Sequence, residues 1–323
     1  MTPPTTRRIA ILDDYQGVAT TLAHWDRLAP TFAVEVFTDH LTDEDAVVER
    51  LAGVAVVVVM RERTPMTRRV IEQLTELQLI VTTGPRNASI DLEAAAKHGI
   101  TVSGTSGSGH STAELTMGMI IAVTRHFAVE HDAVRAGRWQ HRLGPGLAGR
   151  TLGVIGLGRL GSEVARLANA FKMDVIAWSR NLDATRAAEH GAVAVGKDEL
   201  FARSDVVTIH VPLSDATRGL VGPDHLRSMH PGSFLVNTSR GPIVDQAALI
   251  AALTDGHLAG AGLDVYDEEP LPPGHPLRSA PNTLLLPHIG YVTSDNYARW
   301  YPEIVEDIIA WDEGRPIRVI DTP

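Results

Sequence analysis

The segment Gly156-Leu157-Gly158-Arg159-Leu160-Gly161 has the glycine spacing of a phosphate-binding turn. It directly follows the apolar run 151–155 and precedes a helix-like segment from Ser162 to Phe171. In such a turn the first glycine permits a tight bend, the second lets the backbone approach a pyrophosphate, and the third lets the following helix pack closely. The segment therefore predicts a dinucleotide site that includes Gly156, Gly158, Arg159, Leu160 and Gly161. A tight strand–helix turn without a ligand is the alternative interpretation.

The end of the next predicted strand, 174–178, bears on the choice between NAD and NADP. An NAD site usually places a carboxylate there to bond the ribose 2′-hydroxyl, whereas this chain has Ser179, Arg180 and Asn181. A guanidinium pairs well with a 2′-phosphate. We therefore predict that Ser179 and Arg180 lie at the adenosine ribose and that NADP is preferred to NAD. The alternative is that Arg180 is a solvated loop residue in a site that is indifferent or prefers NAD weakly.

Three further segments follow predicted strands and carry an arginine, carboxylates and a histidine. They are Asn-Thr-Ser-Arg-Gly at 237–241, Asp-Val-Tyr-Asp-Glu-Glu-Pro at 264–270 and Pro-His-Ile-Gly at 287–290. Hydride transfer to a ketone requires a cation that holds the substrate and polarises its carbonyl, and an acid that protonates the oxygen. Arg240 suits the first role and His288 the second, because a carboxylate beside an imidazole favours its protonated form. Each residue taken singly also has a purely structural interpretation.

Short apolar runs alternate with helix-like segments along the whole chain, which indicates parallel strands buried on both faces. Helix-like patterns include 43–51, 91–98, a long one at 111–137 and a last one at 294–313. A Gly/Ser-rich stretch at 104–109 interrupts the alternation. We expect two α/β domains in the 323 residues, with one crossing at that stretch. The predicted strands are 9–12, 34–37, 54–59, 79–81, 101–103, 151–155, 174–178, 206–210, 233–237, 260–264 and 283–286.

Composition excludes several classes of protein. With 29 Lys+Arg against 39 Asp+Glu the net charge is −10, which argues against nucleic acid or an anionic membrane surface as the main partner. The absence of cysteine excludes disulfides, thiolate nucleophiles and Cys-ligated zinc. The histidines have no ligand spacing, so no metal site is expected. The longest apolar run, 54–60, is too short to span a bilayer and the N-terminus lacks a signal-peptide core, so a cytoplasmic protein is expected. The segment 191–197 has P-loop spacing, but Asp198 replaces the required Ser or Thr, and we interpret it as chance.

The glycine-rich turn, Thr-Ser-Arg-Gly at 238–241, the acidic segment 264–270 and Pro-His-Ile-Gly at 287–290 together resemble the D-isomer-specific 2-hydroxyacid dehydrogenases. That family includes glyoxylate/hydroxypyruvate reductases and phosphoglycerate dehydrogenases. The resemblance extends over nearly the whole chain and implies NAD(P)-dependent hydride transfer between nicotinamide and a small 2-keto acid or D-2-hydroxy acid. It implies substrate binding by Arg240, acid/base catalysis by His288 and Glu269 as the partner of His288. It also implies that Asp264 holds the nicotinamide carboxamide and that the cofactor is lined by His210, Val211, Pro212 and Thr238.

The resemblance also implies substrate-binding residues in the N-terminal part of the chain. Arg61 lies in the family's arginine-containing loop, and Gly84 and Pro85 lie where backbone N–H groups of a glycine loop receive the substrate carboxylate. The usual pattern there has a second glycine and an Asp, from which Pro85 and Arg86 depart. Tyr291 departs from a small residue common at its position, and a tyrosine there would narrow or reshape the pocket.

Family architecture implies how the domains are arranged. A flavodoxin-like substrate domain formed by 1–104 and 291–323 contains an inserted Rossmann dinucleotide-binding domain, 105–290. The cleft between them would close over cofactor and substrate during hydride transfer. The segment 111–137 and the loop after it resemble the arm through which the family forms homodimers.

Two alternatives stay open from the sequence. Formate dehydrogenase shares the fold, but it has glutamine where this chain has Glu269, which argues against it. A dinucleotide-sensing regulator, like the family's transcriptional corepressor branch, retains the arginine, the glutamate and the histidine. Turnover that His288→Ala abolishes without affecting cofactor binding would separate the enzyme from the regulator.

Overall fold

The computed structural model describes residues 6–107 and 109–321. The chain divides into two compact units, Met1–Gly109 with Val292–Pro323, and His110–Tyr291. Each predicted strand is confirmed with bounds that differ by at most two residues. Continuous apolar runs thus identified the strands because both faces of each sheet are covered by helices.

The first unit contains a parallel five-stranded sheet in the order β2-β1-β3-β4-β5. This is the strand order of flavodoxin-like doubly wound folds, whose ligands bind beyond the carboxyl ends of the strands. All four valines of β3 are buried. The strands are β1 (Arg7–Ile11), β2 (Phe32–Val36), β3 (Val56–Val59), β4 (Leu79–Thr82) and β5 (Thr101–Gly104). The helices are α1 (Ala19–Leu22), a 3-10 turn Trp25–Leu28, α2 (Glu44–Leu51), α3 (Arg68–Gln73) and α4 (Leu92–Lys97).

The last helix of the chain, α12 (Ser294–Asp312), belongs to this first unit. Its apolar face buries Trp300, Ile304 and Ile308 completely. The Trp300 indole Nε1 donates to the carbonyl of Ser106 at 2.8 Å, and the backbone N–H of Ser106 donates to Glu303 at 2.7 Å. The helix therefore fixes Ser106, which lies within the Gly/Ser-rich stretch.

The second unit contains a parallel seven-stranded sheet in the order β12-β11-β10-β9-β6-β7-β8. The order reverses between β6 and β9, which is the arrangement of a Rossmann fold. Its strands are β6 (Thr151–Ile155), β7 (Asp174–Trp178), β8 (Val193–Ala194), β9 (Val206–Ile209), β10 (Phe234–Asn237), β11 (Gly260–Leu263) and β12 (Thr283–Leu285). Its helices are α5 (Ser111–Thr124), α6 (Phe127–Arg135), α7 (Arg159–Ala170), α8 (Ala184–Glu189), α9 (Lys197–Arg203), α10 (Pro223–Ser228) and α11 (Gln246–Thr254), with 3-10 turns Gly241–Ile243 and Pro276–Ser279.

One feature of this unit differs from the sequence prediction. The single long helix predicted over 111–137 is wrong, because α5 and α6 are separated at His126, whose backbone is left-handed with φ +54°. A left-handed residue cannot continue a right-handed helix. The segment with P-loop spacing, 191–197, provides the short strand β8 and the first residue of α9.

Candidate active site

The glycine-rich turn lies between β6 and α7, and its three glycines have different surroundings. Gly156 has φ +95°, and a Cβ there would lie 2.7 Å from Val211 Cγ1. A Cβ on Gly161 would lie 1.9 Å from the carbonyl oxygen of Gly156. A Cβ on Gly158 would meet no atom within 4 Å. The first and third glycines thus allow neighbouring segments of the chain to pack closely against the turn. The second glycine leaves open space beside the first turn of α7, and this space fits a pyrophosphate.

The end of β7 supports this turn and leaves Arg180 accessible. The backbone N–H of Leu157 donates to Ser179 Oγ at 2.8 Å. Arg180, the next residue, is exposed. Ser179 therefore fixes the turn, while a cation stands at the strand end where the adenosine ribose is expected.

The segment 210–212 joins the glycine-rich turn to the loop after β10. The backbone N–H of His210 donates to Ile155 at 2.7 Å, and the Ser239 hydroxyl donates to the Val211 carbonyl. Burial lowers the pKa of His210 to about 4, so its imidazole is neutral at pH 7. The Thr238 hydroxyl is hydrogen-bonded to that of Thr116, 2.9 Å away in α5. The positions predicted to line the cofactor thus share one edge of the sheet.

The conformation of the Arg240 loop depends on Asn237 and Gly241. The buried Asn237 donates from Nδ2 to the Arg240 carbonyl at 2.9 Å and accepts from the Ser239 N–H at 3.0 Å. A Cβ on Gly241 would lie 2.0 Å from the carbonyl carbon of Tyr266. Only glycine permits this approach, which brings Arg240 towards the acidic segment. Asn237 and Gly241 belong to the sequence motif that contains Arg240, but neither was predicted as a site residue.

Glu269 and His288 form a hydrogen-bonded pair, with Glu269 Oε2 2.6 Å from His288 Nδ1. The other carboxylate oxygen, Oε1, accepts from the Tyr266 N–H at 2.9 Å. Burial raises the pKa of Glu269, but the hydrogen bond and charge of His288 and the charge of Arg240 outweigh burial, so the net pKa lies below its usual value. With Nδ1 bonded to Glu269, Nε2 is the imidazole nitrogen that can exchange a proton with a ligand.

Asp264 is completely buried and holds the loop that carries His288. Its Oδ1 accepts from the Ile289 N–H and its Oδ2 from the Gly290 N–H, both at 2.8 Å. Burial raises the pKa of Asp264 to about 6. The ring of Tyr291 lies edge-on to that of His288, with centroids 5.6 Å apart. The imidazole is therefore oriented by the carboxylate of Glu269, the backbone bonds of Asp264 and an aromatic ring.

The predicted substrate residues of the first unit, Arg61, Gly84 and Pro85, lie together after β3 and β4. The Arg61 Nη1 donates to the Thr83 carbonyl at 3.3 Å, and the Gly84 N–H donates to Thr105 Oγ1 at 2.7 Å. Pro85 is exposed and, as a proline, has no N–H to offer.

The structure also bears on metals and membranes. Among residues 6–107 and 109–321, no group of three or more His, Cys, Asp or Glu side chains could hold a metal ion. In the same ranges, every helix is too short or too polar to serve as a membrane span.

Comparisons with known protein families, sequences and structures agree with one another. The family model described as D-isomer specific 2-hydroxyacid dehydrogenase, NAD binding domain, matches residues 117–290. The glyoxylate reductase of Korarchaeum cryptofilum is 34% identical over 297 residues, 90% of this chain and 86% of that protein. The D-3-phosphoglycerate dehydrogenase of Archaeoglobus fulgidus is 38% identical over 264 residues, 81% of this chain but only 50% of that protein. The crystal structure of a phosphoglycerate oxidoreductase from Vibrio cholerae o395 is 36% identical, with a TM-score of 0.89 over 96% of this chain and 100% of that chain.

Proposed function

We propose, from the premise that this chain belongs to the family of D-isomer-specific 2-hydroxyacid dehydrogenases, that it reduces small 2-keto acids to D-2-hydroxy acids. The observation that carries this proposal is the Glu269–His288 pair at 2.6 Å. It lies in the same unit as the glycine-rich turn and beside the Arg240 loop. Ketone reduction requires a proton donor, a cation that polarises the carbonyl and a bound dinucleotide, and this unit has candidate residues for all three at one sheet.

The dinucleotide, when bound, supplies the hydride that reduces C2 of the keto acid. Its pyrophosphate would be held at the turn 156–161, with Gly158 leaving the space that it needs. The Arg240 guanidinium holds the substrate and polarises the C2 carbonyl. The imidazolium of His288 donates the Nε2 proton to the developing alkoxide, and Glu269 at Nδ1 stabilises the charged ring and its orientation. In the reverse oxidation His288 accepts that proton.

Asp264 is proposed to hold the nicotinamide carboxamide. Both of its oxygens already accept one backbone N–H, but a carboxylate offers about four acceptor sites, so a further donor is compatible with these bonds. The segments around His210, Val211, Pro212 and Thr238 are proposed to line the cofactor.

We propose NADP rather than NAD as the preferred cofactor. Arg180 is exposed at the end of β7, directly after the Ser179 hydroxyl that supports the glycine-rich turn. A guanidinium at this place attracts the 2′-phosphate of NADP, and the residues at 179–181 include no carboxylate that would repel it.

We propose that the protein is a homodimer formed through α6 and the loop after it. Large apolar side chains are exposed there: Phe127 by 54%, Val134 by 51%, Trp139 by 78% and Leu143 by 98%. Clusters of exposed large apolar residues mark interaction surfaces.

Initial rates of NADPH and NADH oxidation against a panel of 2-keto acids, from glyoxylate and hydroxypyruvate to phenylpyruvate, test the proposed function. We expect turnover with at least one acid, faster with NADPH, and its abolition in His288→Ala with dinucleotide affinity retained. Absence of turnover with every acid, despite measurable dinucleotide binding, would overturn the proposal. A preference for NADH would overturn only the assignment of the cofactor.

A further inference from the structure

The backbone of His288 has an uncommon conformation. Its φ is +54°, in the left-handed region that few residues with a side chain adopt. Such a conformation is less stable than the ordinary ones and persists where the surrounding contacts hold it in place. The contacts of residues 286–290, which we call the His288 segment, therefore decide where the imidazole lies.

Before His288, both backbone groups of Leu286 are bonded to the end of β11. The Leu286 N–H donates to the Leu263 carbonyl at 2.8 Å. The Leu286 carbonyl accepts from the hydroxyl of Tyr266 at 2.9 Å, and Tyr266 is buried. Burial holds the pKa of this hydroxyl above its usual value, so the hydroxyl keeps its proton at neutral pH and remains a donor. The first end of the His288 segment is thus fixed by Tyr266.

Tyr266 also contacts the segments that carry Glu269 and Arg240. Its N–H donates to Glu269 Oε1 at 2.9 Å. Gly241, the residue after Arg240, approaches so closely that a Cβ on it would lie 2.0 Å from the carbonyl carbon of Tyr266. One residue therefore joins the segments of all three proposed catalytic residues, and its hydroxyl is the part that bonds to the His288 segment.

After His288, both backbone groups of Gly290 are bonded as well. Its N–H donates to Asp264 Oδ2 at 2.8 Å, and its carbonyl accepts from Thr112 Oγ1 at 3.0 Å. Thr112 lies in the first turn of α5 and is buried. A Cβ on Gly290 would lie 3.1 Å from Thr112 Cγ2, so this threonine packs directly against the glycine. The second end of the His288 segment is thus fixed by Asp264 and Thr112.

We propose that Tyr266 and Thr112 are positioning residues, whose hydroxyls hold the two ends of the His288 segment and keep the imidazole in place for proton transfer. This inference rests on the proposed function and goes beyond it, since both residues act through His288. A displacement of about 1 Å at a catalytic group can lower the rate about 100-fold. Two hydrogen bonds of ordinary strength are therefore sufficient to affect catalysis.

Tyr266→Phe and Thr112→Val each remove one hydroxyl and nearly keep the shape of the side chain. In each variant we expect kcat for reduction of the best 2-keto acid to fall by about 10- to 100-fold. The KM of the acid and the Kd of the dinucleotide should change by less than about twofold, because the lost contact acts on the proton donor and not on binding. Thr112→Ser keeps the hydroxyl and should retain most of the wild-type kcat.

Thr124→Val is the matched control for Thr112→Val. It removes a buried hydroxyl from the same helix, but that hydroxyl donates to the Ile120 carbonyl at 2.7 Å, within α5 itself. We expect kcat to match the wild type in this control, even where its melting temperature falls as far as that of Thr112→Val. A general loss of stability would thus be separated from loss of positioning.

Amide hydrogen exchange measures the same contacts without an assay of turnover. The N–H groups of Leu286, Ile289 and Gly290 should exchange about 10-fold faster in Tyr266→Phe and Thr112→Val. The reason is that loss of one hydrogen bond makes local opening of the His288 segment easier. Their exchange in Thr124→Val should match the wild type.

Three results would decide against the inference. They are wild-type kcat in both Tyr266→Phe and Thr112→Val, a loss of kcat in Thr112→Val that Thr124→Val shares, and unchanged exchange in the His288 segment of both variants. A wild-type protein that turns over no 2-keto acid, but whose variants show the faster exchange, would instead contradict the proposed function. The two failures are therefore distinguishable.

Discussion

Replacement of Glu269 by glutamine is the most direct perturbation of the proposed acid. Glu269→Gln keeps the size of the side chain and an oxygen that can face His288 Nδ1 at about the present 2.6 Å, although its amide NH2 then faces the Tyr266 N–H and cannot accept from it. It removes the negative charge that stabilises the imidazolium. We therefore expect the folded protein and its dinucleotide affinity to persist, while the rate of keto-acid reduction falls.

The magnitude follows from the separation of the two charges. Unit charges about 4 Å apart interact by about 4 kcal/mol at an effective dielectric constant of about 20. Because Glu269 keeps 31% side-chain exposure, solvent screens part of this interaction. With about 1–4 kcal/mol of this charge stabilisation left after screening, its removal should lower kcat/KM for reduction by about 10- to 1,000-fold.

The assay is kcat/KM for reduction of the best 2-keto acid. Glu268→Gln is the matched control, because it removes an equal charge from the exposed neighbour in the chain. We expect the control to match the wild type. If Glu269→Gln also matches it, with kcat and kcat/KM within about twofold, the assignment of this pair as the acid system is refuted.

Four further outcomes follow from other contacts. Gly241→Ala places a Cβ 2.0 Å from the carbonyl carbon of Tyr266 and should lower the free energy of unfolding by about 1–3 kcal/mol. An unchanged melting temperature would contradict the close approach of Gly241 to Tyr266. Burial raises the pKa of Asp264 to about 6, so the free energy of unfolding of the wild type falls as the pH rises from about 4, where the carboxyl of the unfolded chain ionises, to about 6. Asp264→Asn should remove this fall, which is at most about 3 kcal/mol. Urea unfolding at several pH values measures it, and a variant whose unfolding free energy falls as steeply as that of the wild type would contradict the reasoning. Arg180→Ala should raise the KM for NADPH about 10-fold and leave that for NADH unchanged, and equal effects on both would exclude a 2′-phosphate contact. Leu143→Glu, at a residue 98% exposed, should convert a dimer into monomers in sedimentation, and an unaltered dimer would place the interface elsewhere.

Local sequence patterns predicted the secondary structure and the fold class well. Buried parallel strands read as continuous apolar runs, and each predicted strand is present within two residues. The glycine-rich turn was identified because it requires glycine at defined spacings between a strand and a helix. The residues at the strand ends were found by type, since Arg240, Glu269 and His288 follow β10, β11 and β12 respectively.

Patterns failed where a single backbone conformation decides the structure. The sequence over 111–137 has a continuous helix-like composition, but the left-handed His126 divides the segment into two helices. Composition indicates that a segment favours helix and carries no information about one residue with positive φ. The homodimer, the preference for NADP and the catalytic roles remain predictions that the experiments above test.

The sequence by itself determined which residues stand at the ends of the strands and that a dinucleotide turn joins β6 to α7. The tertiary structure alone decided what those residues contact. It shows that Asp264 uses both oxygens on the backbone of the His288 loop, and that Gly84 leaves space for the guanidinium of Arg61. The physical reason is the separation along the chain of the residues that each feature involves. Chain spacing specifies strands, turns and helix starts, whereas these contacts join residues that are distant in the chain and depend on distances of a few ångströms that only packing specifies.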